Sequence, residues 1–180
     1  MKQLQTIGIG LLCLSSFSCA TQKALWIDVR ENHGQTSIAV TEAMARKLLD
    51  TKEPHINFLK EDNDGLITRE KLQAVLDGRE RSITTRGKEG SVVTMSMKPL
   101  NIPGGKGGNN RLVLETYKAG EQKFRIVLPE LDISLGDEES KVSVQANLDW
   151  KSWIPFLAKE GGAVYLKDYK DDTEVWVYVE

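Results

Sequence analysis

The stretch LWIDVRE, residues 25–31, alternates apolar Leu25, Ile27 and Val29 with Trp26, Asp28 and Arg30. Successive side chains of a strand point to opposite faces, so this period of two predicts a half-buried β-strand. Asn32-His33-Gly34 supplies a turn, and the chain returns through Ile38 and Val40 to complete a hairpin. Thr41 then stands at a helix-cap position, and Met44, Ala45, Leu48 and Leu49 recur at the spacing of one helix face. Pro54 ends that segment. A second helix, REKLQAVLD (69–77), follows Thr68 and stops at Gly78. RSITTR (81–86) and SVVTMSMK (91–98) form a further hairpin about Gly87 and Gly90.

The same order then returns. RLVLETY (111–117) turns at Lys118-Ala119-Gly120 into KFRIVL (123–128). Pro129 sits where a first helical residue is tolerated, ahead of ELDISL (130–135). Another helix-length segment covers Trp150 to Lys159 and ends at Gly161-Gly162. AVYLKDY and EVWVYVE close the chain as a hairpin about Lys170-Asp171-Asp172. The expected fold class is therefore α+β, built from two similar β-β-α-α-β-β units with antiparallel hairpins and short helices. The first unit covers 24–98 and the second 111–180. PLNIPGGKGGNN between them, 99–110, reads as a Gly/Pro/Asn linker.

The first twenty residues, MKQLQTIGIGLLCLSSFSCA, read as a secretory signal: Lys2, an apolar stretch too short to cross a bilayer, then small residues. A cut after Ala20 releases a soluble, cysteine-free chain. A cut before Cys19 leaves an N-terminal cysteine, which resembles the bacterial lipoprotein pattern with lipid on that residue. Ser18 fits the position before it, whereas Ser16 stands where that family carries Leu. The lipoprotein reading is preferred, and it makes the expected location exported and membrane-anchored through Cys19.

A strand pair, a short helix, a helix ending in Gly and a closing hairpin resemble a small bacterial module. That module accompanies cell-envelope stress proteins of the Lia type and related proteins. Glu160-Gly161-Gly162 through Val175, Val177, Val179 and Glu180 carry the best match. The resemblance implies an accessory or interaction role and transfers no catalytic residue.

Charge excludes one class of partner. The formal net charge is −2 with signs mixed along the chain, so no basic run exists to attract nucleic acid. Both cysteines lie in the signal, which leaves no disulfide framework and no thiol nucleophile after it. Asp62-Asn63-Asp64-Gly65 invites comparison with a calcium loop, with Asp62, Asp64 and Glu70 as candidate ligands. The matching register puts Lys60 first and Lys71 twelfth, where a hard dication needs carboxylates. An acidic turn with Thr68 capping the next helix is the simpler reading. GGKGG (104–108) lacks the spacing and the Lys-Ser/Thr ending of a phosphate loop. His33 and His55 stand in no zinc-ligand cluster, and no nucleophile elbow is present.

Aromatic residues concentrate in the second half. Trp150 and Trp153 share a helix face, and Trp176 and Tyr178 point opposite to Val175, Val177 and Val179. These four are the candidate partner-binding residues, for an envelope protein or a glycan; packing under a helix is the competing reading. The expected function is a non-catalytic envelope interaction or sensing protein with no resident cofactor. A calcium-responsive regulator and a hydrolase with an unrecognised site are the alternatives.

Overall fold

The computed structural model describes residues 20–50, 68–87, 90–103, 111–128, 133–135, 144–146 and 150–180. In chain order these form β1 (Ala20–Glu31), β2 (Gly34–Thr41), α1 (Glu42–Asp50), α2 (Arg69–Leu76), β3 (Ser82–Arg86) and β4 (Val92–Ile102). There follow β5 (Leu112–Lys118), β6 (Glu121–Leu128), β7 (Ile133–Leu135), β8 (Val144–Ala146), α3 (Trp150–Glu160), β9 (Ala163–Asp168) and β10 (Thr173–Val179). Eight strands make one antiparallel sheet in the order β3-β4-β1-β2-β9-β10-β5-β6, and β7 pairs with β8 alone.

This architecture corrects the α+β expectation. Among the described residues strand outweighs helix, 57% to 23%, the helices are three and short, and the second half carries two strands, β7 and β8, where a helix was expected. The helix expected at ELDISL is strand: Ile133-Ser134-Leu135 pairs antiparallel with Val144-Gln145-Ala146. Its alternation of Ile, Ser and Leu has the period of a strand, and Pro129 alone had favoured a helix. Nor do the halves stand apart. β2 pairs with β9 from Thr36↔Asp168 to Val40↔Val164, which fuses both into one sheet. Strand order nevertheless repeats, since β3-β4-β1-β2 and β9-β10-β5-β6 each place third, fourth, first and second strands in turn. Pro99 to Ile102, expected in the linker, extend β4 opposite Ala20 to Lys23.

Local expectations survive within this frame. The β1–β2 turn is tight, with Glu31 opposite Gly34. Ala119 and Gly120 both take positive φ, 51° and 76°, as a two-residue hairpin turn of the primed type requires. Thr68 caps α2, accepting a hydrogen bond from Lys71 N at 3.3 Å. Thr41 ends β2, and its buried hydroxyl accepts the Ala163 amide at 3.2 Å, tying the first half to the second.

All three helices pack on one face of the sheet. Met44, Ala45, Leu48 and Leu49 of α1, Leu72, Val75 and Leu76 of α2, and Trp153 and Leu157 of α3 share one core with Leu25, Ile27, Val29, Ile38 and Val177. Cross-strand register carries one row, apolar except at Thr116, from edge to edge: Ile83, Met95, Ile27, Ile38, Leu166, Val175, Thr116 and Phe124. Arg46 joins α1 to α2, reaching Glu42 at 2.9 Å, Asp77 at 3.0 Å and the Leu76 carbonyl. That hydrogen bond holds the Asp77 carboxyl below its ordinary value. Among the described residues no helix is long and apolar enough to cross a membrane.

Candidate functional site: the helix-free face of the sheet

The alternation that buries Leu25, Ile27 and Val29 sends Trp26 and Asp28 to the other side. Register assembles there a second row with one residue from each of eight strands: Ser82, Ser96, Trp26, Ala39, Tyr165, Trp176, Glu115 and Arg125. Trp26 and Tyr165 stand two strands apart, so their backbones are separated by about 10 Å. Their ring centroids are only 5.7 Å apart, edge to face. The rings lean together over Ala39, whose single methyl leaves the space. Tyr165 and Trp176, on neighbouring strands, approach to 4.3 Å with planes tilted by 40°. Such pairs contribute about 0.5–1.5 kcal/mol each beyond area burial. Tyr165 is buried, while Trp26 and Trp176 keep part of their surface exposed.

A polar row runs beside the rings. Asp28, Ser37, Lys167 and Glu174 lie opposite one another in register across β1, β2, β9 and β10. Ser37 donates to Asp28 at 2.6 Å, and Lys98 donates to the second Asp28 oxygen at 2.9 Å while lying 5.7 Å from the Trp26 ring centroid. Lys167 donates to Glu174 at 2.8 Å and sits 3.4 Å from Asp172. The Glu174 bond raises the Lys167 ammonium above its ordinary value and keeps it charged. Tyr169 brings its hydroxyl to 3.5 Å from that of Ser37 and remains 48% exposed.

At the β5–β6 end the face is sealed by Glu115, which is 5% exposed. Its carboxylate accepts from Arg125 Nε at 2.9 Å, Tyr117 Oη at 2.9 Å and Gln122 Nε2 at 3.3 Å. Arg125 also reaches Glu180 at 2.6 Å. Burial, then the Glu115 charge, pushes the Tyr178 phenol up to about 12. The neutral phenol is thus the folded form, against about 10 for the unfolded chain. Its stabilising effect is complete below about pH 10 and is lost as pH rises from there toward 12. The expected result is a melting temperature that falls across this window. Tyr178→Phe is expected to flatten part of that fall in a pH series of thermal melts. Tyr165 and Tyr117, also raised by burial, and Lys167, raised by its bond to Glu174, contribute to the remainder.

Among the described residues two buried side-chain polar atoms have no hydrogen-bond partner, the indole nitrogen of Trp26 and the hydroxyl of Ser96, and both lie on this face. The two residues are directly opposite in the β1–β4 register. Buried polar groups are nearly always hydrogen-bonded, so the pair marks this end of the ring row as unusual.

The four aromatic candidates divide. Tyr178 and Trp176 reach the helix-free face, Tyr178 buried at 3% and Trp176 packed against the same cluster. Trp153 is on the other side, 4% exposed in the helix-covered core. Trp150 opens α3. Asp62, Asp64 and Cys19 lie outside the described residues. Glu70 stands in the first turn of α2, its carboxyl lowered by its own backbone N–H and then by Thr68. Among the described residues no group of three or more His, Cys, Asp or Glu side chains could hold a metal ion. Sequence reasoning missed Trp26, Asp28, Ser37 and Lys98 as residues of the same sheet face as Trp176. The available signal was the alternation in 25–31, which sets Trp26 and Asp28 opposite the core.

No protein-family model matches this chain, and neither a curated protein nor a solved structure matches it.

Proposed function

We propose that this is an exported, lipid-anchored, non-catalytic binding protein of the cell envelope, and that the helix-free face of its sheet is the binding surface. The observation that carries the reading is the row Trp26–Tyr165–Trp176, partly exposed and flanked by Asp28, Lys98, Lys167 and Glu174, on the face that none of the described helices covers. Exposed ring surface beside fixed polar groups is the composition of a recognition surface.

Anchoring rests on reading Cys19 as the lipid-bearing residue. β1 begins at Ala20, one residue after Cys19, so lipid on Cys19 would hold that end of the sheet against the bilayer. Trp26 then stands about 20 Å along the strand from the anchored end. Cys19→Ser is expected to move the protein from the membrane fraction to the soluble one. For the face itself, a photo-reactive residue at Tyr169 is compared with one at Lys159, whose side chain is 82% exposed on α3. An adduct formed in the native envelope from Tyr169 alone, and lost on Trp176→Ala, supports the reading. Equal adducts from both sites, or none from Tyr169, overturn it.

A further inference from the structure

We infer that the ligand of this face is an uncharged oligosaccharide, lying across β1, β2, β9 and β10 with its sugar rings over Trp26 and Trp176; the inference rests on the binding reading above and names its ligand class. Three observations select this class. First, the cations bordering the ring row are neutralised by their own neighbours. Lys98 has Asp28 at 2.9 Å, Lys167 has Glu174 at 2.8 Å, and Arg125 has Glu115 at 2.9 Å and Glu180 at 2.6 Å. An anionic polymer or lipid headgroup finds no unmatched charge among them.

Second, β1, β2, β9 and β10 are interior strands paired on both sides. Their backbone donors and acceptors are consumed, which excludes capture of a peptide as an added strand. Recognition there depends on side chains alone.

Third, what remains is ring surface next to polar groups with hydrogen-bonding capacity to spare. A carboxylate accepts about four hydrogen bonds, and Asp28 uses two, from Ser37 and Lys98. Sugars present C–H faces to aromatic rings and hydroxyls to carboxylates and ammonium groups, both kinds at once. The unpartnered Trp26 Nε1–H and Ser96 Oγ, buried and directly opposite one another on β1 and β4, add an unused donor and an unused hydroxyl at this end of the row. Through Tyr165 the Trp26 and Trp176 ring centroids are no more than about 10 Å apart, the reach of a short run of sugar rings.

The test is titration calorimetry and tryptophan fluorescence of the signal-free protein with two uncharged probes, the tetramers of β-1,4-linked glucose and of β-1,4-linked N-acetylglucosamine. Saturable binding of either is expected, unchanged between 50 and 500 mM salt and weakened at least about tenfold by Trp176→Ala. Trp26→Phe, which keeps a smaller aromatic ring and removes the indole N–H, is expected to weaken it while the fold is retained by circular dichroism. Lack of saturation by both probes at millimolar concentration overturns the inference, as does binding indifferent to both substitutions or abolished by salt. Persistence of the Tyr169 adduct alongside failed sugar binding sinks the ligand class and leaves the binding face standing.

Discussion

Trp153→Ala is expected to lower the unfolding free energy by about 3–5 kcal/mol, the range for removing a large aromatic side chain from a core. Trp153 is 4% exposed and touches Phe156 edge to face, with centroids 6.2 Å apart. Lys47 of α1 places its ammonium 4.7 Å from the Trp153 ring and 4.1 Å from that of Phe156. The residue thus pins α3, from the second half of the chain, to α1 from the first. Alanine there removes a large buried surface, an aromatic pair and a cation–π contact, and opens a cavity that the rigid sheet below cannot fill. Urea titration followed by far-ultraviolet circular dichroism measures the loss. The ring row on the opposite face is untouched, so binding by the folded fraction should be retained. Lost binding without lost stability would make Trp153 a contact residue and contradict its place in the core.

Gly162→Ala is expected to cost about 3 kcal/mol, at the upper end of what overpacking a core costs. A Cβ at this position would stand 2.0 Å from Leu157 Cδ2 and 2.9 Å from its Cγ. Leu157 is 2% exposed and cannot swing into solvent. The closeness has a cause: the amides of Gly161 and Gly162 both bond back to the Leu157 carbonyl, at 2.7 and 3.0 Å, folding the chain tightly from α3 into β9. A double-mutant cycle isolates the contact. Gly162→Ala should cost much less in a Leu157→Ala background, because the space for the new methyl then exists. Equal costs in both backgrounds would trace the effect to the backbone of the turn.

Most of the local structure was legible from short-range pattern. The β1–β2 turn, the apolar faces of α1 and α2, the Thr68 cap and the opposition of Trp176 and Tyr178 to Val177 and Val179 depend on residues within a few positions of one another. The reading failed where two periods competed in a short segment. At Ile133–Leu135 three residues are too few for a helical stripe, and their pairing with Val144–Ala146 supplied the deciding hydrogen bonds. It also failed at the joint between halves. Pro99 and the glycines after it suggested a linker, but β4 runs on to Ile102 because Ala20 to Lys23 of β1 lie alongside to pair with it.

The candidate site was half legible for the same reason. Period-two alternation assigns Trp26 and Trp176 each to a face of its own strand, and no further. That they belong to one row depends on β2 pairing with β9, residues about 130 positions apart in the chain, and on Ala39 being small enough for Trp26 and Tyr165 to close over it. Taken alone, the order of residues determined most of the strands, the helices α1 and α2, the Thr68 cap and which of their side chains face the core, since each depends on local dihedral preference and hydrophobic period. Only the tertiary structure decided that the two halves share one sheet and that Trp26, Tyr165 and Trp176 form one surface. Strand register is set by backbone hydrogen bonds between distant segments, and those bonds carry no sequence signature of their own.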